Sequence, residues 1–295
     1  MSELAELLKI SHYAGKRFDL VQAGGGNSSI KLDNGLMLIK ASGISLSEMT
    51  VESGIAEVNI QLVRDILQDK VLQAIQNKRD REQISLAKLL KTVTRPKELP
   101  SIESFLHAFT DKVTLHTHPI LCNALSCRKD GKKLLEELFP ETLVLEYCTP
   151  GYENAVQYLK SLTEFELKHS KKPAVTFIQN HGLVVSGKTA EEVIQLNEHI
   201  LSIIAEYLEV ELDFYLSESY SMSNLRVSSP ELFSFSPVFP AQAESENLTS
   251  PNEEILFAHA LTLKLGGLVN MNPLSQDELD YLRNWAVDGY RANSV

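Results

Sequence analysis

The sequence predicts an α/β fold in which helices cover both faces of a central sheet. Short runs of β-branched and aliphatic residues, typical of strands, alternate along the chain with segments whose apolar residues recur at helical spacing. A hairpin signal at Asp33–Gly35 joins two of the predicted strands. With 295 residues, 43% apolar and 23% charged, the chain has the size and composition of a soluble globular protein of one or two domains.

The first elements are a helix and a hairpin. Leu4 and Leu7 belong to a set of apolar residues at helical spacing, which predicts an amphipathic helix over residues 3–17. A glycine-rich loop follows. Alternating residues 30–32 and 36–40 then flank the hairpin turn as two strands.

The later elements follow from the same patterns and from capping signals. Ser101 caps a predicted helix that runs to Thr110, with Glu103 in its first turn, and Thr189 with Glu192 forms a capping box. The other predicted elements are strands at 55–60, 142–147, 174–178 and 183–185 and helices at 61–78, 131–139, 153–169 and 189–210. No clear pattern is present over residues 78–98 before Leu86.

The last part of the chain has a different composition. Residues 217–249 are rich in serine and proline, which is typical of a linker or a wrapping segment. Two helices with N-terminal capping signals follow, one beginning at Ser250 and the other after Leu274. We therefore expect a mostly helical C-terminal extension over residues 217–295 that wraps the preceding domain or extends a subunit contact.

Charge and cysteine content limit the classes of function. The net charge of −11 argues against a nucleic acid or an anionic membrane as a partner. Three cysteines suit a reducing compartment. The N-terminus lacks the pattern of a secretory signal, and no apolar run reaches the length of a membrane span, so we expect a cytoplasmic protein.

Two histidines in the middle of the chain stand out. Residues Val113–Leu115 favour a strand, and the strand period of two puts Thr114, His116 and His118 on one face. Two imidazoles at this spacing can converge on a single metal ion. Pro119 ends the strand, which places the pair at an end of the sheet. Two surface histidines are the alternative interpretation.

Several short motifs accompany this pair in a fixed order. They are Gly24–Ser29, Lys40–Gly43, Pro100–Glu103 with His107, His116 with His118, and His181–Gly182. This set resembles the class II aldolase/adducin-head family of metal-dependent sugar aldolases over roughly residues 3–212. It looks most like the aldolase portion of bifunctional aldolase/short-chain-dehydrogenase proteins. The dehydrogenase portion is expected to be absent, because no dinucleotide fingerprint is visible.

The resemblance implies a three-layer α/β/α fold with a mixed central sheet, in a class II aldolase-like domain of residues 1–216. It also implies that His116, His118 and His181 bind Zn²⁺ or another divalent transition metal, with one coordination position left open. Glu103 matches the catalytic carboxylate of the family, although it could also be an acid that only interacts with the helix dipole. His107, one helical turn later, either orients Glu103 or lies on the surface.

The resemblance also implies a substrate site. The residues that match it are Gly25, Gly26, Asn27, Ser42, Gly43 and Ser101, which would hold a phosphate or an enediolate. Ile102 and Gly24 depart from the hydroxyl residues that phosphate-specific members carry there, which removes two phosphate hydrogen bonds. Lys40 either compensates with its charge or is a solvated strand lysine.

The proton donor is a further departure from the family pattern. The tyrosine that sugar-phosphate aldolases supply from a neighbouring subunit has no clear counterpart here. Tyr147 is the candidate we select, Tyr152 is the next, and Arg128 is an alternative electrostatic group.

Taken together, the resemblance implies a metal-dependent aldolase that cleaves a ketose or a ketose 1-phosphate, as a homotetramer with sites at subunit interfaces. A dehydratase or an epimerase could use the same metal site. A non-catalytic interaction module like the adducin head is the alternative from another class, but that head has lost the metal ligands. A dinucleotide enzyme is a poor third option, because Gly24–Gly26 lack the required spacing.

Overall fold

A computed structural model of the chain describes residues 2–95, 97–210 and 250–283. Its centre is a seven-stranded sheet with the order β3-β2-β1-β4-β7-β6-β5. The strands are β1 (Asn27–Lys31), β2 (Leu36–Lys40), β3 (Ile55–Asn59), β4 (Val113–Thr117), β5 (Leu143–Leu145), β6 (Val175–Ile178) and β7 (Gly182–Gly187). Only β5 and β6 pair in parallel, so the sheet is mixed, as predicted.

Helices lie on both faces of this sheet. They are α1 (Glu3–Gly15), α2 (Ile60–Gln68), α3 (Lys70–Ala74), α4 (Lys78–Leu90), α5 (Ser104–His107), α6 (Ile120–Ser126), α7 (Gly131–Leu138), α8 (Tyr152–His169), α9 (Ala190–Tyr207), α10 (Ser250–Gly266) and α11 (Gln276–Arg283). None of the helices in the described part of the chain is long and apolar enough to cross a membrane.

Two apolar clusters, one on each face of the sheet, join the three layers. Helices α1, α6 and α9 pack on one face of the sheet. Helices α2, α5 and α8 pack on the other. Along β7, Leu183 and Val185 belong to the first cluster and Val184 to the second, as the strand period of two requires. The predicted α/β/α architecture is therefore confirmed.

The predicted hairpin and the cap of α9 are present. Strand β1 pairs with β2 in antiparallel register, with Ile30 opposite Leu38. The Thr189 hydroxyl accepts the backbone amide of Glu192. The Glu192 carboxylate accepts the amide of Lys188 at 2.7 Å, one residue before the expected position.

The single helix predicted at 61–78 is wrong. The chain divides there into α2 and α3, because Asp69 accepts the amides of Val71 and Leu72 and so caps a new helix. Asn77 caps α4 in the same way, over a stretch where no element was predicted.

The helix predicted from Ser101 to Thr110 is reduced to the single turn α5. The predicted cap at Ser101 is wrong, because Glu103 holds the N-cap position of this turn without a side-chain cap. The Ser101 hydroxyl only accepts the amide of Glu103, at 3.3 Å. The turn ends early, since the Thr110 hydroxyl donates to the His107 carbonyl at 2.8 Å. Every residue from Ile102 to Thr110 is buried.

The C-terminal helices pack on the domain. Ala258 and Leu261 of α10 form an apolar cluster with Ile120 of α6. Leu274 and Leu282 pack with Leu86 and Ile102. The expected domain boundary at residue 217 and the irregular segment 217–249 lie outside the described residues.

Candidate metal centre

Three histidine side chains meet at one end of the central strands. His116 lies on β4, His118 follows the last residue of that strand, and His181 directly precedes β7, which pairs with β4. His116 Nε2 lies 3.1 Å from His118 Nε2 and 3.3 Å from His181 Nε2. His116 and His181 are buried, and His118 is half-buried. The interpretation as surface histidines is therefore wrong.

Strand β4 ends one residue earlier than the sequence suggested. The strand stops at Thr117, and the His118 amide donates to the carbonyl of Leu20 at 2.9 Å instead of continuing the ladder. His118 thus leaves the strand direction, and its ring centroid lies 4.9 Å from that of His116 and 5.2 Å from that of His181.

The nitrogen spacing fits a tetrahedral cation. Zinc–nitrogen bonds of about 2.0–2.1 Å place neighbouring ligand nitrogens about 3.3 Å apart. The ligand atoms of the three histidines all lie within 4.8 Å of one another, and two of the separations are 3.1 and 3.3 Å. Unprotonated imidazole nitrogens that converge at this distance repel one another unless a cation or a proton lies between them. These side chains therefore fit a divalent transition metal.

The proton position on His116 supports this interpretation. His116 Nδ1 lies 3.0 Å from the carbonyl oxygen of Leu183, which can only accept, so Nδ1 carries the proton. His116 Nε2 is therefore the unprotonated nitrogen, and it faces the other two rings. Asn123 donates to the backbone carbonyl of His181 at 3.3 Å, which fixes that residue from outside the cluster.

Glu103 places a carboxylate directly on this cluster. Its Oε2 atom lies 3.3 Å from His116 Nε2, and its Oε1 atom lies 3.5 Å from His181 Nε2. The amide of Asn27 donates to Oε2. Asn27 is paired with His116 across β1 and β4, so the sheet register itself brings the amide to the carboxylate.

His107 is buried, with no measurable exposure, so the surface alternative is wrong for this residue. Its Nδ1 atom lies 2.7 Å from the hydroxyl oxygen of Ser29. Burial lowers the pKa of His107 well below its usual value, and neighbouring His116 and Lys31 lower it further, so the ring is neutral.

The glycine loop packs against the histidines. A Cβ on Gly25 would lie 3.1 Å from His118 Nδ1, and a Cβ on Gly26 would lie 2.8 Å from the His116 carbonyl oxygen. Gly26 also has a φ of +67°, which favours glycine. The loop therefore needs small residues for its contact with the cluster, whatever else it binds.

The other predicted substrate-binding residues lie on two adjoining loops. The Ser42 amide donates to the carbonyl of Leu99 at 2.7 Å, and the Ser101 amide donates to the carbonyl of Lys40 at 3.2 Å. The Gly25 amide donates to Gln22 at 2.9 Å. Three amides of the expected phosphate cradle are therefore already used within the chain. Gly43, with a φ of +82°, provides the turn after Ser42.

Lys40 is buried and lies between these loops. Only 4% of its surface is exposed, which rules out the solvated-lysine alternative. Its ammonium group donates to the carbonyl of Gly24 at 3.3 Å and to that of Ala41 at 3.4 Å. The chain thus keeps a cation where the glycine loop meets the loop after β2.

Tyr147, Tyr152 and Arg128 form their contacts outside the cluster. The Tyr147 hydroxyl donates to Glu278 at 2.9 Å, and burial with the nearby carboxylate raises its pKa. Burial raises the pKa of Tyr152 to about 12, and its ring packs edge-on against Phe105. Arg128 binds Asp130 and the carbonyl of Gly266.

Two asparagines that support His181 were not selected from the sequence. Asn123 holds the His181 carbonyl, as described above. Asn180, at a left-handed φ of +55°, donates its side-chain amide to the carbonyl of Asn272 at 2.7 Å. The Asn180–Gly182 sequence carried a signal, because asparagine before a histidine and glycine favours a tight turn.

Fold and site together define a three-layer α/β/α protein with a candidate catalytic metal centre: three converging histidines beside a buried carboxylate. Residues 5–208 match the family described as Class II Aldolase and Adducin N-terminal domain. The match covers more than half of the chain, and the chain belongs to this family.

The chain is also similar to individual proteins. The chain is 25% identical over 214 residues to the uncharacterized oxidoreductase YuxG of Bacillus subtilis, covering 69% of this chain and 29% of YuxG. The chain therefore spans less than a third of that relative. The N-terminal class II aldolase domain of a conserved Thermoplasma acidophilum protein shares the fold, with a TM-score of 0.57, 23% identity, and coverage of 70% and 94% of the two chains. YgbL of Klebsiella pneumoniae, a putative aldolase/epimerase/decarboxylase, gives a TM-score of 0.48 at 17% identity, with coverage of 74% and 90%.

Proposed function

We propose that this protein is a divalent-metal-dependent aldolase that cleaves a carbon–carbon bond of a ketose or a ketose 1-phosphate. The observation that carries the proposal is the convergence of three imidazoles with the Glu103 carboxylate, whose oxygens lie 3.3 and 3.5 Å from two of the imidazole nitrogens. Metal-dependent aldol cleavage needs a metal site with a proton-transferring carboxylate directly beside it.

His116, His118 and His181 would hold the ion, and Zn²⁺ is the metal we expect for three imidazole ligands. A bound divalent cation would polarise the ketose oxygens and stabilise the negative charge that develops on them. His118 is half-buried whereas His116 and His181 are buried, so we propose that a sugar reaches the centre past His118.

Glu103 would transfer the proton at the carbon next to the ketone. Its carboxylate is buried, with 7% of the residue exposed, and it accepts the Asn27 amide. This hydrogen bond leaves the second oxygen, Oε1, for proton transfer. A group held in this way contributes about 10²–10⁴-fold to the rate.

Lys40 supports an anionic or strongly polar substrate. Its buried ammonium lies beside the Gly24 carbonyl, at the start of Gly25–Asn27, and beside Ala41, which precedes Ser42 and Gly43. We propose that these residues and Ser101 bind the sugar's oxygens or its phosphate. Ile102 has no hydroxyl to offer a phosphate, and its side chain packs in the apolar cluster with Leu274.

Tyr147 remains our proposed proton donor to the leaving aldehyde oxygen. The raised pKa keeps its hydroxyl protonated at neutral pH. Transfer of that proton would leave a phenolate beside Glu278, so the contact with Glu278 must loosen for the step to occur. The homotetramer, the cytoplasmic location and the wrapping role of the C-terminal extension are likewise proposals, and a light-scattering mass tests the first.

The experiment is an activity screen of metal-loaded protein over ketoses with and without a 1-phosphate, run beside Glu103→Gln. We expect an aldehyde product with the wild type, loss of activity after chelation, recovery with Zn²⁺ or Co²⁺, and a Glu103→Gln variant that binds metal but is at least about 10²-fold slower. Dehydrated or epimerised products would instead assign the dehydratase or epimerase function. A chain that takes up no divalent ion would favour the non-catalytic module.

A further inference from the structure

The segment that carries Glu103 has an unusual polar face. Residues Ile102–Thr110 are all buried, yet Glu103, His107 and Thr110 are polar and recur at i, i+4 and i+7. Glu103 and His107 lie at the two ends of the single turn α5, and Thr110 follows three residues later, with its hydroxyl donating to the His107 carbonyl. A buried polar stripe is costly unless each member finds a partner.

Each member of this stripe meets a polar residue of β1. Asn27 donates to Glu103, and Ser29 lies 2.7 Å from His107 through Oγ and Nδ1. Lys31 donates from Nζ to the carbonyl and the hydroxyl of Thr110, at 2.7 and 3.2 Å. We call these three pairs the β1 ladder.

The geometry of strands and helices explains why the pairs stay in register. Alternate residues of a strand lie about 6.6–6.8 Å apart, and four residues of a helix rise about 6.0 Å. The step from Asn27 to Ser29 therefore matches the step from Glu103 to His107 closely. The long side chain of Lys31 covers the remaining offset at the third pair. Asn27, Ser29 and Lys31 share one face of β1, whereas Ser28 faces the other way and bonds Ser11.

Basic side chains bind the backbone carbonyls at the C-terminal end of the same segment. Arg64 donates twice to the carbonyl of Ala108, at 3.0 and 2.8 Å, and Lys172 donates to the carbonyl of Phe109 at 3.1 Å. Lys31 also reaches the carbonyl of Asp111 at 2.7 Å. Four consecutive carbonyls from 108 to 111 are thus bound by three side chains from separate parts of the chain.

We infer that Ser29 and Lys31 are positioning residues, which set the place of the Glu103 carboxylate at the histidine cluster through His107 and Thr110. The inference rests on the proposed function, in which Glu103 transfers the proton. A displacement of about 1 Å at such a group costs about 10²-fold in rate.

Lys31 is half-buried, and the desolvation of its amino group argues against a purely stabilising role. Burial, with Lys172 and Arg64 nearby, lowers its pKa to about 7. An apolar side chain of similar length would fill the site without this desolvation cost. The amino group is therefore kept for the carbonyls that it fixes in place.

The test compares Ser29→Ala, Lys31→Met and Lys31→Arg with a matched control, Ser28→Ala. The control removes a buried hydroxyl from the same strand but on the opposite face. Protein loaded with Co²⁺ is used throughout. Steady-state kinetics are measured with the ketose found in the screen, and the visible Co²⁺ spectrum is recorded in parallel. The spectrum reports the position of the Glu103 carboxylate, because that group lies against two of the ligand nitrogens.

We expect Ser29→Ala and Lys31→Met to lower kcat at least tenfold, with KM and Co²⁺ affinity within threefold of wild type. Their spectra should shift toward that of Glu103→Gln. Lys31→Arg should recover part of kcat, and Ser28→Ala should change only thermal stability.

Two outcomes distinguish failure of the positioning role from failure of the aldolase proposal. If Ser29→Ala and Lys31→Met match Ser28→Ala in spectrum and kcat, the positioning role is wrong. If the wild type cleaves no ketose, the aldolase proposal is wrong, and the Co²⁺ spectra alone still decide whether the β1 ladder positions Glu103.

Discussion

Gly182 lies in direct contact with the backbone of Thr117: a Cβ built on the glycine would be 2.2 Å from the Thr117 carbonyl oxygen. The same Cβ would be 2.9 Å from His118 Cδ2 and 3.2 Å from His116 Cε1. The absence of a side chain at residue 182 is therefore what allows the turn before β7 to approach the two histidines at the end of β4.

A Gly182→Ala variant should lose metal affinity as well as stability. Because the neighbour that must move is backbone, we expect the free energy of unfolding to fall by about 1–3 kcal/mol or more. We also expect a rise of at least tenfold in the dissociation constant for Co²⁺, measured by titration. Gly187→Ala at the other end of β7 is the control, because its Cβ would meet the flexible Glu192 carboxylate at 3.2 Å. Equal metal affinity in the two variants would contradict the prediction.

Removal of the metal should lower thermal stability. An ion that binds only the folded chain stabilises it by about 2.7 kcal/mol at a hundred times its dissociation constant. Differential scanning calorimetry with and without Zn²⁺ measures the effect. His181→Ala should abolish the stabilisation by Zn²⁺. His199→Ala, which changes an exposed histidine, should retain it. A wild-type thermal midpoint that is unchanged by excess Zn²⁺ would refute the metal centre.

Asn27→Asp should reduce activity more than Asn27→Ala. The alanine removes only the amide donor to Glu103, whereas the aspartate adds a second buried carboxylate beside it. We expect kcat to fall about 10²-fold for the aspartate, with metal still bound, as shown by kinetics and metal analysis. Comparable kcat values for the two variants would argue against the contact seen here.

Tyr147→Phe tests the proposed proton donor. The change removes the hydroxyl that donates to Glu278 and keeps the ring in its apolar cluster with Ile102. If Tyr147 delivers the proton, kcat should fall at least tenfold with little change in KM. Tyr158→Phe, in the core of α8, is the control for loss of a buried tyrosine hydroxyl. An unchanged kcat in Tyr147→Phe would exclude this role.

Lys31 should make stability depend on pH. In the folded protein its pKa is lowered to about 7 from 10.5, so above about pH 7 the unfolded chain binds a proton that the folded chain has lost. Stability relative to Lys31→Met should therefore rise with pH between about 7 and 10, by up to about 1.4 kcal/mol per pH unit. Urea unfolding of both proteins at pH 7.5 and 9.5 measures this difference. A wild type that weakens relative to Lys31→Met over this range would contradict the prediction.

Local patterns were sufficient for most of the fold. The hairpin turn at Asp33–Gly35 and the cap at Thr189 depend on neighbouring residues, so the sequence showed them. Helix α6 was not predicted, because all of its residues are buried and no polar face marks the helical period. The position of β4 between β1 and β7 depends on pairings between distant residues, which no local pattern reports.

The site was predictable in its residue types and less so in its contacts. The histidines and Glu103 were identified by motif order, and they do meet. The Asn27 contact with Glu103 follows from the register of β1 on β4, which only the folded sheet fixes. Ser29 and Lys31 were missed as partners because their role depends on pairing alternate residues of β1 with a distant segment, Glu103–Thr110.

The segment between α10 and α11 reaches residues next to both halves of the centre: the Asn272 carbonyl accepts the side chain of Asn180, and Leu274 packs on Ile102. The region of family similarity ends at residue 208, well before either contact. A recombinant fragment trimmed to that region would expose the apolar side chain of Ile102 and leave the turn before His181 without its neighbour. Kinetic or crystallographic work on such a fragment would therefore describe a different pocket from that of the full chain.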